Sequence, residues 1–372
     1  MTAARLLVLA TVAAVALLPA RTAAAPSAAS RCDRPRIGFL GPLTGSAAFI
    51  GKEQLGFARY AARRLGGGRI RIVEADTALD PARATRAART LHRRRDVLAV
   101  VGPAASREVL AAARVFRSRE RLPFISASAL ASGLTNGSIP NFFRVVPNDA
   151  AQAPTIAAFL LRRLEVRSVL VVDDRSGYSR LLADEVRKRL RAAGVRVARA
   201  SVDQKQTEYG DVVERVDENV DAVFLPWQIA ASAQVFGMQL REHAKPVTIV
   251  GADALDSGDF TIAGSYVATF APDVRQIAGN AELLAGYGGR FVSNFGPLAY
   301  VATQAAVAAV EQACADGQAT RAEVLRRLRA THLPKTLLGR ELEFTAKGDV
   351  ADARFSIFKL GARGKKTLVG RP

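Results

Sequence analysis

From residue 36 onward, short apolar runs alternate with stretches whose apolar positions recur every three or four residues. The first pattern is that of a buried strand, the second that of an amphipathic helix. Strands are predicted at 36–41, 69–75, 97–101 and 122–126, with helices at 51–65 and 106–121 and a turn at Gly66-Gly67-Gly68. Another helix begins at Asp80-Pro81, because Asp is a good N-cap and Pro fits the first helical position. Ala84, Ala87, Ala88 and Leu91 form its apolar stripe. The order β-α-β-α-β-α-β favours a parallel sheet with right-handed crossovers.

The extended segment NFFRVVP, at 141–147, interrupts this rhythm and reads as a crossing between two units. A second series follows, with helices predicted at 150–164, 179–193, 209–218 and 229–242 and strands at 168–172, 196–202, 222–225 and 247–251. A strand at 266–270 leads to Ala271-Pro272, a second crossing. Helices at 276–291, 298–315 and 320–329 come next. An extended tail at 342–344 and 354–360 surrounds the turn Lys347-Gly348-Asp349. The predicted fold class is α/β: two doubly wound parallel-sheet lobes joined by extended hinge crossings, with a ligand cleft between them. The predicted division is 31–143 plus 272–335 for one lobe and 144–271 plus 336–372 for the other.

Residues 1–30 have the pattern of an export signal. Arg5 supplies a positive start, 6–18 an apolar stretch too short to span a bilayer, and Ala23, Ala24, Ala25, Ala28, Ala29 and Ser30 small residues for cleavage. A cut between Ala24 and Ser30 is expected, not directly after Ala25, where Pro26 opposes it. A retained anchor is one alternative. A lipid anchor on Cys32 is another, although Arg31 stands where a lipoprotein signal needs a small residue. No later segment is long and apolar enough to span a membrane, so the mature chain is expected to be soluble and extracytoplasmic.

At 372 residues the chain is too long for one ordinary core and suits two domains. Its net charge of +19 raises the question of nucleic acid. The basic residues, however, are scattered along helix faces, as in Arg59, Arg63 and Arg64 or Arg83, Arg86 and Arg89. Only 6% of residues are aromatic, too few to interleave for base stacking. Nucleic acid is therefore not expected as a partner; attraction to an anionic wall or membrane surface is the simpler consequence. Cys32 and Cys314 make either one disulfide or two free thiols, and an oxidising compartment favours the disulfide. His92, His243 and His332 are too scattered for a metal site. Neither metal nor cofactor is expected.

IGFLGPLTG (37–45), the acidic strand end plus DPARA (76–84), VVGPAAS (100–106), PFISASA (123–129), FFRVVPND (142–149), VLVVDDRSGYSR (169–180), AVFLPW (222–227), IVGAD (249–253) and FTAKGD (344–349) occur in that order. With this series the chain resembles the Leu/Ile/Val-binding family of periplasmic binding proteins, with the type I two-lobed fold. The resemblance implies a solute-binding component of an ABC-type importer, working as a monomer with a membrane permease and without catalysis. A ligand-sensing module of a membrane receptor is the alternative on the same fold. No G-x-S-x-G elbow is present and no histidine has an obvious nucleophile partner, which argues against a hydrolase.

A zwitterionic ligand needs donors for its carboxylate and an anion for its ammonium. Ser106 follows a strand and opens a helix, where its hydroxyl and nearby amides suit a carboxylate. Ser128 and Ala129 lie at the next strand-to-turn edge. In the family, the position matching Ser106 binds the ligand carboxylate and that matching Ser128 helps bind the ammonium. Helix capping is the plainer role for both serines. The resemblance further implies that Tyr178 closes over the ligand, that Asp253 pairs with the ammonium and that Trp227 forms an aromatic wall. A half-buried surface tyrosine, a loop-capping aspartate and a core tryptophan are the corresponding structural roles. Leu130 stands where the family often has Thr, and Phe49-Ile50 where it has an aromatic hydrogen-bonder. These departures leave amides, short carboxylates and aromatic acids open beside branched-chain amino acids.

Overall fold

The computed structural model describes residues 32–118, 120–291, 293–315, 320–351 and 354–370. The expected export signal lies outside them. Strands with apolar centres become the inner strands of two sheets. β1 (Arg36–Gly41), β2 (Arg71–Asp76), β3 (Val97–Val101), β4 (Phe124–Ser126) and β5 (Phe142–Arg144) form the first sheet, all parallel, in the order β2-β1-β3-β4-β5. Every residue of β3 is buried, as befits a strand covered by helices on both faces.

β6 (Ser168–Asp173), β7 (Arg196–Ser201), β8 (Ala222–Leu225), β9 (Thr248–Gly251) and β10 (Tyr266–Thr269) repeat the same relative order, β7-β6-β8-β9-β10, again in parallel. Near the C-terminus β11 (His332–Leu333) pairs with β12 (Leu342–Glu343) as a small separate ribbon. β13 (Ser356–Leu360) and β14 (Lys366–Gly370) then extend the second sheet beyond β10 in antiparallel fashion. The sequence pattern predicts the first of these two edge strands but not β14.

The helices are α1 (Ala48–Leu65), α2 (Pro81–Arg93), α3 (Ser106–Phe116), α4 (Asp149–Arg162), α5 (Gly177–Ala192), α6 (Gly210–Val213), α7 (Ala230–Glu242), α8 (Ala281–Tyr287), α9 (Phe295–Ala315) and α10 (Arg321–Arg329). Asp80 caps α2 as expected, its carboxylate accepting the Arg83 N–H at 2.6 Å. The Ala- and Val-rich α9 is buried along most of its length and packs against α1 and β3.

Two helical expectations shrink. The pattern at 209–218 gives only the single turn of α6. The pattern at 276–291 breaks into a 3-10 turn and the seven-residue α8. Gly279 and Gly288 adopt φ of +88° and +67°, a left-handed region that ends helices. Asn280 instead ties this segment to the carbonyls of Val274 and Leu337.

NFFRVVP belongs first to the first sheet, as β5, and only then leaves it for α4. Arg144, fully buried, pairs with Asp349 at 2.5 Å and donates to the carbonyls of Ala129 and Ala131. Gly348, at φ +86°, lies so close to β5 that a Cβ would sit 2.1 Å from the Phe142 carbonyl oxygen. Leu337, Leu338, Leu342 and Val350 share the core of the first lobe. Residues 336–350, expected with the second lobe, therefore pack with the first, because the Arg144–Asp349 pair and the Gly348 contact hold the 345–349 turn on β5. The third passage between sheets follows this turn.

The structure joins Cys32 to Cys314 in a disulfide, with Cα atoms 5.5 Å apart. The bond fastens the start of the described chain to the end of α9. Among the described residues no helix is long and apolar enough to cross a membrane.

Candidate ligand-binding cleft

In a sheet ordered 2-1-3-4-5 the loops after the first and third strands part to opposite faces, leaving a crevice at the carboxyl ends of the strands. Both sheets have that order. A cleft of about 670 Å³ opens between them, lined from the first lobe by residues after β1, β2, β3 and β4 and from the second by residues after β6, β7, β8 and β9. Gly102, at φ +105°, brings the loop after β3 against β1; a Cβ there would lie 1.9 Å from the Leu40 carbonyl oxygen.

On the first-lobe wall Ser106 is the first residue of α3 and lines the cleft. Its Oγ accepts the Ala131 N–H at 3.1 Å, so its own proton remains to donate. The first amides of α3 have no partner within the helix, and together these donors suit an anion. Ser128 also lines the cleft, but its hydroxyl is committed: it donates to the Ala104 carbonyl at 2.8 Å and accepts from Gln54 Nε2 at 2.9 Å. Ile50 and Leu130 add apolar surface, joined by Phe295 from α9. Ala129 lies behind this surface, buried, its N–H on Ser126 Oγ at 2.9 Å. Phe49 packs edge-on to Phe295, with ring centres 6.4 Å apart, and touches the cores of both lobes. It is not among the residues lining the cleft.

Glu108 sits beneath this wall. Its Oε2 accepts the Ala105 N–H at 2.9 Å. Burial pushes its carboxyl up to about 7 against the hydrogen bonds that oppose the shift, with the charges of Asp76 and Asp80 adding to it. The GPLTG loop does not line the cleft. The N–H groups of Leu43 and Thr44 and the Thr44 hydroxyl all bond Asp76 at the end of β2. Partial burial opposes ionisation of Asp76, but these bonds outweigh it and hold its carboxyl below the usual range.

The second-lobe wall is built differently. Asp253, on the 3-10 turn after β9, is 4% exposed and forms no ion pair among the described residues. One of its oxygens, Oδ1, accepts both the Tyr178 hydroxyl and the Gln152 amide. Tyr178 comes from the first turn of α5 and Gln152 from α4. Burial pushes the Asp253 carboxyl up to about 6 despite these two bonds, and raises the Tyr178 phenol well above its ordinary value, with the Asp253 charge adding to the effect. The structure thus brings Ser106, Ser128, Leu130, Ile50, Tyr178 and Asp253 to one cleft.

It does not bring Trp227 there. The expected aromatic wall is a core residue, 1% exposed, packed at a tilt against Tyr209 and Phe236 with its indole N–H donating to the Val172 carbonyl at 2.7 Å. The chain bends at Gln228, one residue on, and it is Gln228 that lines the cleft. Gln152 and Gln54 leave no signal in the sequence, since a glutamine in a helical pattern reads as solvated surface. Among the described residues, no group of three metal-ligating side chains occurs.

The family described as periplasmic binding protein matches residues 35–365. An amino acid binding protein of Pseudomonas aeruginosa is 25% identical over 345 residues, covering 88% of this chain and 91% of that protein. The Leu/Ile/Val-binding protein BraC3 of Rhizobium johnstonii is 26% identical over 339 residues, covering 87% and 90%. Among solved structures, the branched-chain amino acid transporter substrate binding protein LivJ of Streptococcus pneumoniae, in complex with isoleucine, aligns with a TM-score of 0.80 at 23% identity over 90% of this chain and 99% of its own. A solute binding protein of R. palustris in complex with benzoate aligns with a TM-score of 0.79 at 18% identity over 91% and 96%. At these identities the two structural matches establish a shared fold.

Proposed function

The chain belongs to the periplasmic binding protein family, and from that premise we propose that it is the extracytoplasmic solute-binding component of an ABC-type importer for an amino acid-like ligand. Membership in the family implies work outside the cytoplasm. Cleavage of the export signal between Ala24 and Ser30, and docking of the closed form on a membrane permease, belong to the same proposal.

The observation that carries it is Asp253. A buried carboxylate without a cation is costly, and here it faces a cleft. A ligand ammonium offsets that cost with a charge-assisted bond. Across the cleft, Ser106 and the start of α3 offer donors to the ligand carboxylate. The two relatives named for amino acids support a ligand that carries both groups. An aromatic acid such as benzoate has a carboxylate for Ser106 but nothing for Asp253, so the amine-bearing class is favoured.

Calorimetry on protein stripped of ligand by unfolding and refolding tests the proposal, using the twenty amino acids and benzoate. Binding of at least one α-amino acid with no heat from benzoate is expected. Heat from benzoate alone, or from none of them, overturns it.

A further inference from the structure

We infer that Gln204 and Gln228 form a polar subsite that selects a ligand ending in a carboxamide over its apolar isostere; this rests on the amino acid-like ligand proposed above. Both residues are half-buried and line the cleft, Gln204 after β7 and Gln228 after β8. Both are anchored on one buried carboxylate. Asp174, 2% exposed, accepts the Gln228 backbone N–H at 2.7 Å and Gln204 Nε2 at 3.1 Å on Oδ2, and the Ser176 N–H at 3.0 Å on Oδ1.

That anchor fixes which way each amide points. A carboxylate only accepts, so Gln204 must turn its NH2 toward Asp174. The same NH2 makes a long contact of 3.4 Å to Gln228 Oε1, which directs the Gln228 amide in turn. Gln204 Oε1 and Gln228 Nε2 are left without a protein partner among the described residues. One acceptor and one donor are therefore left on two linked residues of the cleft wall, and a primary carboxamide offers the matching donor and acceptor. An apolar end group of the same shape would desolvate both amides and pair neither.

The test compares isosteres by calorimetry on the ligand-free protein: L-asparagine against L-leucine, and L-glutamine against L-methionine. In at least one pair the amide should bind tenfold or more tightly than its apolar counterpart. Gln228→Met, which keeps the backbone N–H on Asp174, should bring that ratio to within threefold; Gln204→Met is the second variant should the first not fold. Apolar partners binding as tightly or more tightly in both pairs overturns the inference alone. So does an amide preference that survives both substitutions. Absence of binding by any amino acid removes the amino acid-like ligand itself, and this subsite with it.

Discussion

On the first-lobe side of the cleft the polar atoms belong to a helix start, two serines, Arg107 and Glu108, set among Ile50, Leu130 and Phe295. On the second-lobe side they belong to the buried Asp253 carboxylate, hydrogen-bonded by Tyr178 and Gln152, to Gln204 and Gln228, which Asp174 anchors, and to Arg175 and Arg180. The first wall holds its donors through backbone geometry, by the Gly102 turn and the Arg144 bonds that fix the carbonyls on either side of Leu130. The second holds its acceptors through side chains gathered from α4, α5 and the turn after β9. Two lobes of one topology thus offer the cleft different groups, the Ser106 hydroxyl and the start of α3 on one wall and the buried Asp253 carboxylate on the other. For the amino acid-like ligand proposed above, this sets an expected direction: carboxylate toward the first lobe, ammonium toward the second.

The largest test of that direction is removal of the Asp253 charge. Asp253→Asn keeps the shape and the Tyr178 contact but leaves the ligand ammonium unpaired. The expected loss for an amine-bearing ligand is about 2–4 kcal/mol, roughly 30- to 700-fold in dissociation constant, read by calorimetry at neutral pH. An unchanged constant removes Asp253 from the site.

Acidity separates the two walls next, because their buried acids act in opposite senses. Asp253 has a carboxyl raised from 3.8 to about 6. Below that pH the empty cleft holds a neutral acid, and an ammonium must expel its proton to pair. Affinity for an amine-bearing ligand should therefore fall toward tenfold per unit as pH drops below about 6. Glu108, raised to about 7, lies under the wall that takes the ligand carboxylate. Its protonation removes a repulsive charge, so acid favours binding there. Asp253→Asn should abolish the fall below pH 6 and expose a weak rise in affinity as pH drops through 7. Titrations of both proteins from pH 5 to 8 would show a persisting fall if the walls were assigned the wrong way round.

The sheets were legible in the sequence because their inner strands are apolar on both faces: 36–41, 97–101 and 222–225 hold their bounds to the residue. The helix at 276–291 was not, because its apolar spacing says nothing of the left-handed φ that Gly279 and Gly288 adopt. The Arg144–Asp349 pair, 205 residues apart in sequence, exists only once β5 and the 345–349 turn meet. Tyr178, Gln152 and Asp253 likewise converge from three elements. Gln204 and Gln228 did leave a signal, since each follows a parallel strand at the end where such sheets bind ligands. Trp227 stood at the same strand end, and only the course of the chain into the bend at Gln228 decides which side chain faces the cleft.

The first wall should respond less to substitution than the second, because its donors are shared with the backbone. Ser106→Ala removes one hydroxyl and leaves the α3 amides in place. A loss of about 1–2 kcal/mol in ligand binding is expected, roughly 5- to 30-fold. A loss equal to that of Asp253→Asn would mean that the serine, rather than the helix start, holds the carboxylate.

The smallest effect on binding is expected at Trp227, and it decides whether this aromatic belongs to wall or core. Trp227→Phe keeps most of the ring contacts with Tyr209 and Phe236 but removes the donor to the Val172 carbonyl. That carbonyl is buried, and an orphaned buried acceptor costs about 1–3 kcal/mol. The variant should therefore lose stability in thermal or denaturant unfolding while its ligand affinity stays within twofold. A tenfold loss of affinity with stability unchanged would return the indole to the cleft. Because Trp227 is the only tryptophan in the chain, its fluorescence gives an independent reading: a core indole should shift little when the cleft fills.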